Sequence, residues 1–128
     1  MKPLSVLLAD DEENIRILIR GWLELAGHRV TCAATGHEAS VLAEKTAFDL
    51  LVTDVLMPEG DGVGLINDMK KLQPTVRVLA MSGGGRIIDG NDCLRIAQGL
   101  GAHAAVMKPF NREQFLAAVA QTMGQRAP

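Results

Sequence analysis

The stretch FDLLVTDVLMPEGDG, residues 48–62, decides the fold of this 128-residue chain. Residues 48–52 form a mainly apolar run, typical of a strand buried on both faces of a parallel sheet, and Asp54 follows at its end. Pro58 and Gly60 then require a turn, because proline and glycine interrupt a regular strand. The stretch therefore predicts a carboxylate at the carboxyl end of a central strand, where open α/β sheets place their ligand sites.

Four further runs have the length and composition of strands: 4–9, 29–34, 76–81 and 103–107. Segments with apolar residues at helical spacing separate the five strands and follow the last one, which predicts five helices. Strands joined by helix-length crossovers must be parallel, and right-handed crossovers cover both faces of the sheet. Because only residues 29–34 alternate in polarity, we place the second strand at an edge, in the order 2-1-3-4-5. The prediction is a doubly wound α/β fold.

Composition and charge favour one domain over residues 1–128. Apolar residues make up 48% of the chain, and its formal net charge is −2. These values exclude an extended disordered chain and give no electrostatic footprint for nucleic acid. Cys32 and Cys93 lack metal-ligand spacing, and the first apolar run is too short for a signal peptide or a membrane span. We expect a cytoplasmic protein with no membrane contact.

Three local predictions concern the helices and histidines. The first helix should end at Gly27, and one of the aspartates before it could serve as its N-cap. Its predicted apolar face comprises Ile15, Leu18, Ile19, Trp22, Leu25 and Ala26. In the last helix, Asn111 and Gln114 form a capping box, and Phe110 packs against Phe115. The three histidines show no ligand spacing and are interpreted as surface or edge residues: His28, His37 and His103.

Polar side chains stand where four of the predicted strands end. These residues are Asp10, Asp11, Asp54, Ser82 and Lys108. Because the carboxyl ends of parallel strands meet at one edge of the sheet, the five side chains should converge on one crevice. Each has a purely structural alternative, such as a helix cap or a turn, but one shared site explains all of them together.

Three neighbouring carboxylates repel one another unless cations lie between them. Lys108 supplies one positive charge, and a set of oxygen ligands favours Mg²⁺ over zinc. With a metal at Asp10 and Asp11, Asp54 could act as a nucleophile toward phosphorus and form an aspartyl phosphate. Lys108 and the Ser82 hydroxyl would then contact the phosphoryl oxygens.

The chain resembles response-regulator receiver domains of two-component signalling over essentially its whole length. Four motifs carry the resemblance: LLADDEENIR at 7–16, LLVTDVLMPEGDG at 50–62, MSG at 81–83 and GAHAAVMKPF at 101–110. The resemblance implies the flavodoxin-like receiver fold. It also implies a phosphoacceptor that is not a conventional enzyme and that switches an unknown protein target. Since the chain ends directly after the last helix, we expect a stand-alone receiver.

The resemblance assigns roles to individual residues. It implies that a sensor histidine kinase or a histidine phosphotransfer protein phosphorylates Asp54. Mg²⁺ would be held by Asp10, Asp11, Asp54 and the main-chain carbonyl of Leu56. Ser82 and Lys108 would contact the phosphoryl group, and the Lys108–Pro109 peptide can be cis.

Three positions depart from the family pattern. Ser82 stands where threonine is commoner, which keeps the hydroxyl. Ala105 occupies the position of the usual aromatic switch residue, so the inward swing of an aromatic ring cannot operate. Residues 83–92 form a longer glycine-rich segment than the family pattern predicts, and we expect ordering of this segment to replace the switch.

Three alternatives remain open at this stage. A metal-dependent phosphohydrolase would commonly carry a second carboxylate two residues after the nucleophile, where this chain has Leu56. A flavin-binding module would need a phosphate-cradling loop after the first strand and aromatic residues around a ring. A docking module that takes no phosphate is also compatible with the fold, although the expected acceptor-site residues are present.

Overall fold

The computed structural model describes residues 2–55, 57, 62–83 and 98–124. The strands are β1 (Ser5–Ala9), β2 (Arg29–Ala33), β3 (Leu50–Asp54), β4 (Arg77–Ser82) and β5 (Ala104–Met107). The helices are α1 (Glu13–Leu25), α2 (Gly36–Lys45), α3 (Gly62–Leu72) and a final helix, Arg112–Gly124. Residues 98–100 are also helical and end at Gly101, whose φ of 80° is left-handed. The predicted start of this helix near Asn91 lies outside the described residues.

The described strands form one parallel sheet in the order β2-β1-β3-β4-β5, which confirms the predicted fold class. Leu7 is aligned with Thr31 on one side and with Leu51 on the other. β2 is an edge strand with exposed and half-buried residues, whereas every residue of β3 is buried. The contrast in polarity between these two runs thus reflected their positions in the sheet.

The two faces of the sheet carry separate cores. Val6, Leu8 and Val52 face α1 and the final helix, where they pack with Ile19 and Phe115. The intervening side chains point to the other face, because successive residues of a strand alternate in direction. There Leu7 and Leu51 pack against α2 and α3 through Ala39, Ile66 and Met69. Helices on both faces make the fold doubly wound. No helix among the described residues is long and apolar enough to cross a membrane.

The final helix starts as its sequence predicts. Asn111 Oδ1 accepts a hydrogen bond from Gln114 N at 2.7 Å, and Gln114 Oε1 accepts one from Asn111 N at 2.9 Å. This reciprocal pair is a capping box. Phe110 and Phe115 stack with ring centroids 5.5 Å apart, and the Trp22 ring lies 5.8 Å from Phe115. The aromatic contacts join α1 to the final helix.

The predicted apolar face of α1 was partly wrong. Ile19 and Leu23 are the buried residues of this helix, whereas Leu18 is 46% and Leu25 84% exposed. The apolar residues of α1 span a broad arc opposite its charged face, so periodicity alone did not show which part of the arc is buried. Packing against the sheet selected the stripe through Leu23.

The predicted end of α1 was confirmed, whereas the alternative of an aspartate N-cap was not. The N-cap is Glu12, without a side-chain capping bond, and not an aspartate. Gly27 follows the helix with a φ of 97°, in the left-handed region.

Two of the histidines serve as acceptors within the sheet. His28 Nδ1 accepts a hydrogen bond from Leu4 N, and His103 Nδ1 accepts one from Val78 N, each at 3.0 Å. Both lie at the amino ends of strands. His28 is buried, which corrects its interpretation as a surface or edge residue. Burial lowers the pKa of both imidazoles, so the structure favours their neutral form.

Candidate functional site

All five predicted residues lie at one edge of the sheet, where Asp10, Asp54 and Lys108 are in direct contact. β1 and β3 are adjacent and in register, with Ala9 opposite Thr53. Asp10 and Asp54 therefore emerge next to each other. Lys108 follows β5 and reaches back across the sheet edge to both of them.

Lys108 joins the two buried carboxylates. Its Nζ lies 2.9 Å from Asp10 Oδ2 and 3.1 Å from Asp54 Oδ2. The side chain of Asp10 is 0% and that of Asp54 10% exposed, so these contacts are largely shielded from water. A third carboxylate, that of Glu12, lies 3.5 Å from Nζ but is mostly exposed. Lys108 is thus the counter-charge of a carboxylate pair that would otherwise repel.

The protonated state of Lys108 is stabilised by its partners. Burial lowers the pKa of Lys108, but the hydrogen bonds and charges of Asp10 and Asp54 outweigh that effect. The net result is a raised pKa. The ammonium group is therefore charged throughout the physiological range.

The three aspartates have the chemistry of a hard-cation site. One carboxylate oxygen from each of Asp10, Asp11 and Asp54 lies within 4.8 Å of the others. Mg²⁺ prefers oxygen ligands at about 2.0–2.1 Å and keeps several water molecules, so three carboxylates on one side of a partly open site fit this ion. Asp11 is exposed, and its carboxylate forms the open side of the cluster.

Asp10, in the loop after β1, is held at four atoms by β2, α1, its own loop and Lys108. Its amide donates to Ala33 O at 3.1 Å, and its Oδ1 accepts from Glu12 N at 2.8 Å. Its Oδ2 accepts from Lys108, and its carbonyl oxygen accepts from Arg16 Nη1 at 2.8 Å. This buried carboxylate therefore has one defined orientation.

The backbone of Asp54 is packed against the start of α3. Gly62 N donates to Val55 O at 3.2 Å, and Val55 N donates to Met81 O at 3.0 Å. A Cβ atom at Gly62 would collide with the carbonyl oxygen of Asp54 and lie 2.7 Å from Val55 Cα. The close approach requires glycine, and it holds the Asp54 loop against the sheet.

Ser82 ends β4 beside β5. It is aligned with Met107, and its carbonyl oxygen accepts a hydrogen bond from Lys108 N at 2.7 Å. The next residue, Gly83, lies against the stem of Lys108, since a Cβ there would be 3.4 Å from Lys108 Cβ. Ser82 is thus tied to the lysine through its backbone. The Lys108–Pro109 peptide is cis, as the resemblance allowed.

The predicted switch region is described only in part. Ala105 lies in β5, half-buried and aligned with Ala80. The predicted carbonyl ligand of Leu56 and residues 84–92 of the glycine-rich segment lie outside the described residues.

Sequence reasoning missed three contributors to this site: Glu12, Arg16 and Gly62. The sequence patterns assign none of these three residues a role at the site. A usable signal existed for Arg16, because a residue one turn into a helix can reach back to the preceding loop. The collision at Gly62 depends on the distance between β3 and α3, which the sequence does not contain.

Comparison with known proteins adds an independent result. A family model described as "Response regulator receiver domain" matches residues 6–120. The chain is 32% identical over 131 residues to "DNA-binding transcriptional regulator NtrC" of Azospirillum brasilense, covering 100% of this chain and 26% of that protein. It is 31% identical over 115 residues to "Probable transcriptional regulator ycf27" of Porphyra purpurea, covering 90% of this chain and 45% of that protein. The chain thus spans less than half the length of these relatives.

The fold is also found among solved structures. The crystal structure of the chemotaxis response regulator CheY4 of Vibrio cholerae superposes with a TM-score of 0.81 at 28% sequence identity. The match covers 94% of this chain and 99% of CheY4. A likeness that spans both chains almost entirely shows that the whole described sheet, with its helices, is shared.

Proposed function

Because the chain belongs to the response regulator receiver domain family, we propose that Asp54 accepts a phosphoryl group from a phosphohistidine. The donor is a sensor histidine kinase or a histidine phosphotransfer protein. The observation that carries the proposal is the contact of Lys108 with both Asp10 and Asp54, next to the exposed carboxylate of Asp11. This arrangement combines a nucleophile, a fixed cation and a set of metal ligands.

In the transfer step, a carboxylate oxygen of Asp54 forms a bond to phosphorus. The bond between phosphorus and the donor imidazole nitrogen breaks, and its electron pair stays on that nitrogen. Lys108 Nζ already lies 3.1 Å from Asp54 Oδ2, where it can form an ion pair with the oxygens of the transferred phosphoryl group. Ser82, at the adjacent strand end, supplies a hydroxyl for another phosphoryl oxygen.

Asp10, Asp11 and Asp54 would hold Mg²⁺, with Leu56 contributing its carbonyl oxygen as the family resemblance implies. The ion would supply positive charge to offset the phosphoryl oxygens and to bring two anions together. The chain's own part is to orient these ligands, and the anchors on the Asp10 carboxylate fix this ligand before any ion binds.

We further propose that phosphorylation switches the binding of a protein target. The shift of Lys108 and Ser82 toward the phosphoryl group would bias the neighbouring loops. Since Ala105 has no aromatic ring, the change must be transmitted by other residues, and the glycine-rich segment after Ser82 is the proposed element. A free thiol at Cys32 suits the proposed cytoplasmic location.

Intact-mass measurement after incubation with acetyl phosphate and Mg²⁺ tests this function. The wild-type protein should gain one phosphoryl group, and EDTA or Asp54→Asn should abolish the gain. Asp49→Asn is a matched control, because this carboxylate lies on the same chain segment before β3 and accepts a hydrogen bond from Ser5 N. It should leave phosphorylation intact.

Rapid dephosphorylation could hide the adduct, so beryllofluoride binding provides a second measurement. A complex that requires Mg²⁺ and Asp54 would support the proposed site. A folded protein that gains no phosphoryl group and binds no beryllofluoride would contradict the proposed function.

A further inference from the structure

Arg16 touches the acidic cluster although its side chain belongs to α1. Its Nη1 donates to the carbonyl oxygen of Asp10 at 2.8 Å, and the residue is half-buried. A guanidinium bonded to a backbone carbonyl makes a charge-assisted hydrogen bond, which is stronger than a neutral one. The contact is therefore capable of fixing the peptide group to which that carbonyl belongs.

That peptide group links Asp10 to Asp11. The Asp10 carboxylate has its own anchors in Glu12 N and Lys108, so it does not depend on Arg16 for its direction. The Asp11 carboxylate is exposed and has no hydrogen-bond or ion-pair partner among the residues that the structure describes. Its direction depends on the orientation of its own backbone, which begins at the peptide that Arg16 holds.

We propose that Arg16 is the positioning residue of the cation site and that it acts through the peptide joining Asp10 and Asp11. The inference rests on the proposed function, because it concerns the Mg²⁺ that the three aspartates would bind. Arg16 would not touch the ion. It would keep the exposed carboxylate of Asp11 turned toward Asp10 and Asp54.

Two possible roles of Arg16, as a nearby positive charge or as a positioning residue, predict opposite effects of its removal on Mg²⁺ affinity. If the guanidinium were only a nearby positive charge, its loss would reduce repulsion and Mg²⁺ would bind more tightly. If it positions Asp11, its loss would leave one ligand disordered and Mg²⁺ would bind more weakly. Loss of a group that orients metal ligands typically lowers metal affinity 10–100-fold. The direction of the change therefore decides between the two roles.

The experiment is a Mg²⁺ titration of the metal-free protein, followed by the NMR shifts of the Asp11 and Glu12 amides, with no phosphoryl donor present. Arg16→Met should raise the dissociation constant about tenfold. Arg16→Lys keeps the charge and one donor and should recover part of the affinity. Arg20→Met is the matched control, because Arg20 lies on the same helix and pairs with Glu24 at 3.0 Å. It removes the same charge and should leave the affinity unchanged.

A second readout separates positioning from catalysis. With acetyl phosphate, Arg16→Met should need more Mg²⁺ but reach the wild-type phosphorylation rate when Mg²⁺ is saturating. Thermal unfolding of each variant shows that it is folded, and Arg16→Lys serves as the test if Arg16→Met does not fold.

The outcomes distinguish this inference from the proposed function. Unchanged or tighter Mg²⁺ binding by Arg16→Met, or no recovery in Arg16→Lys, would overturn the role of Arg16 and leave the phosphoacceptor intact. A wild-type protein that binds no Mg²⁺ would overturn both the metal dependence and the role of Arg16.

Discussion

Replacing Gly62 by alanine should destabilise the protein and disturb the candidate phosphoacceptor together. The added Cβ would meet the carbonyl oxygen of Asp54 and lie 2.7 Å from Val55 Cα. Both are backbone atoms, so neither can move aside by a side-chain rotation. Either the start of α3 or the end of β3 must shift.

The magnitude follows from three contributions. Overpacking of a tight site costs about 1–3 kcal/mol. Weakening the hydrogen bond from Gly62 N to Val55 O, 3.2 Å long, costs about 1 kcal/mol. The lower entropy of an unfolded chain with alanine offsets about 0.5–1 kcal/mol of this loss. We expect Gly62→Ala to lower the free energy of unfolding by about 2 kcal/mol.

Gly21→Ala is the matched control. Gly21 lies inside α1, and a Cβ there would meet no atom within 4 Å apart from its chain neighbours and the backbone of its own helix. Alanine is favoured over glycine inside a helix by about 1 kcal/mol, so this variant should be more stable than the wild type. The same chemical change thus has opposite signs at two positions.

Urea unfolding followed by Trp22 fluorescence measures both variants, since Trp22 packs against Phe110 and Phe115. The slope with urea should be unchanged, so that midpoints report stability. Phosphorylation by acetyl phosphate should be slower in Gly62→Ala than in Gly21→Ala. A Gly62→Ala variant as stable as the wild type would refute the argument from close approach.

Two further predictions concern parts of the fold away from the site. Gln73→Met removes three hydrogen bonds of 2.7–2.9 Å, in which the Gln73 amide donates to Ala43 O and Thr46 O and accepts from Phe48 N. Urea unfolding should show that the free energy of unfolding falls by about 2–3 kcal/mol. A loss below about 0.5 kcal/mol would show that water replaces these bonds. Acidification from about pH 7.5 to pH 5.5 should destabilise the protein, because burial lowers the folded-state pKa of His28 and His103 below the unfolded value of about 6.5. The contribution of the two neutral imidazoles to the free energy of unfolding is complete above about pH 6.5 and is lost as the pH falls toward the folded-state pKa. Replacing both by asparagine should flatten this dependence over the same pH range, and an unchanged dependence in the double variant would contradict the assignment.

The fold was predictable because its main signals are local. The uniform apolarity of residues 50–52 and the mixed polarity of residues 29–33 indicated a central and an edge strand, and the structure has both. The capping box at Asn111 was predictable for the same reason, since both of its partners lie within one helical turn.

Other features could not be predicted, because they depend on which surfaces meet. Packing against the sheet and the final helix determined which part of the broad apolar arc of α1 is buried. His28 is buried because its ring lies beside Leu4 N, 24 residues away in the chain. No periodicity in the sequence records such a contact.

The candidate site shows the same division. The residue types and their places at strand ends were determined by the sequence alone, because a parallel sheet collects the carboxyl ends of its strands at one edge. Only the tertiary structure decided that Lys108 reaches both Asp10 and Asp54, that Arg16 holds the Asp10 carbonyl and that Gly62 must lack a side chain. The physical reason is that strand order fixes which residues are neighbours, whereas distances of about 3 Å depend on how helices and loops pack on the sheet.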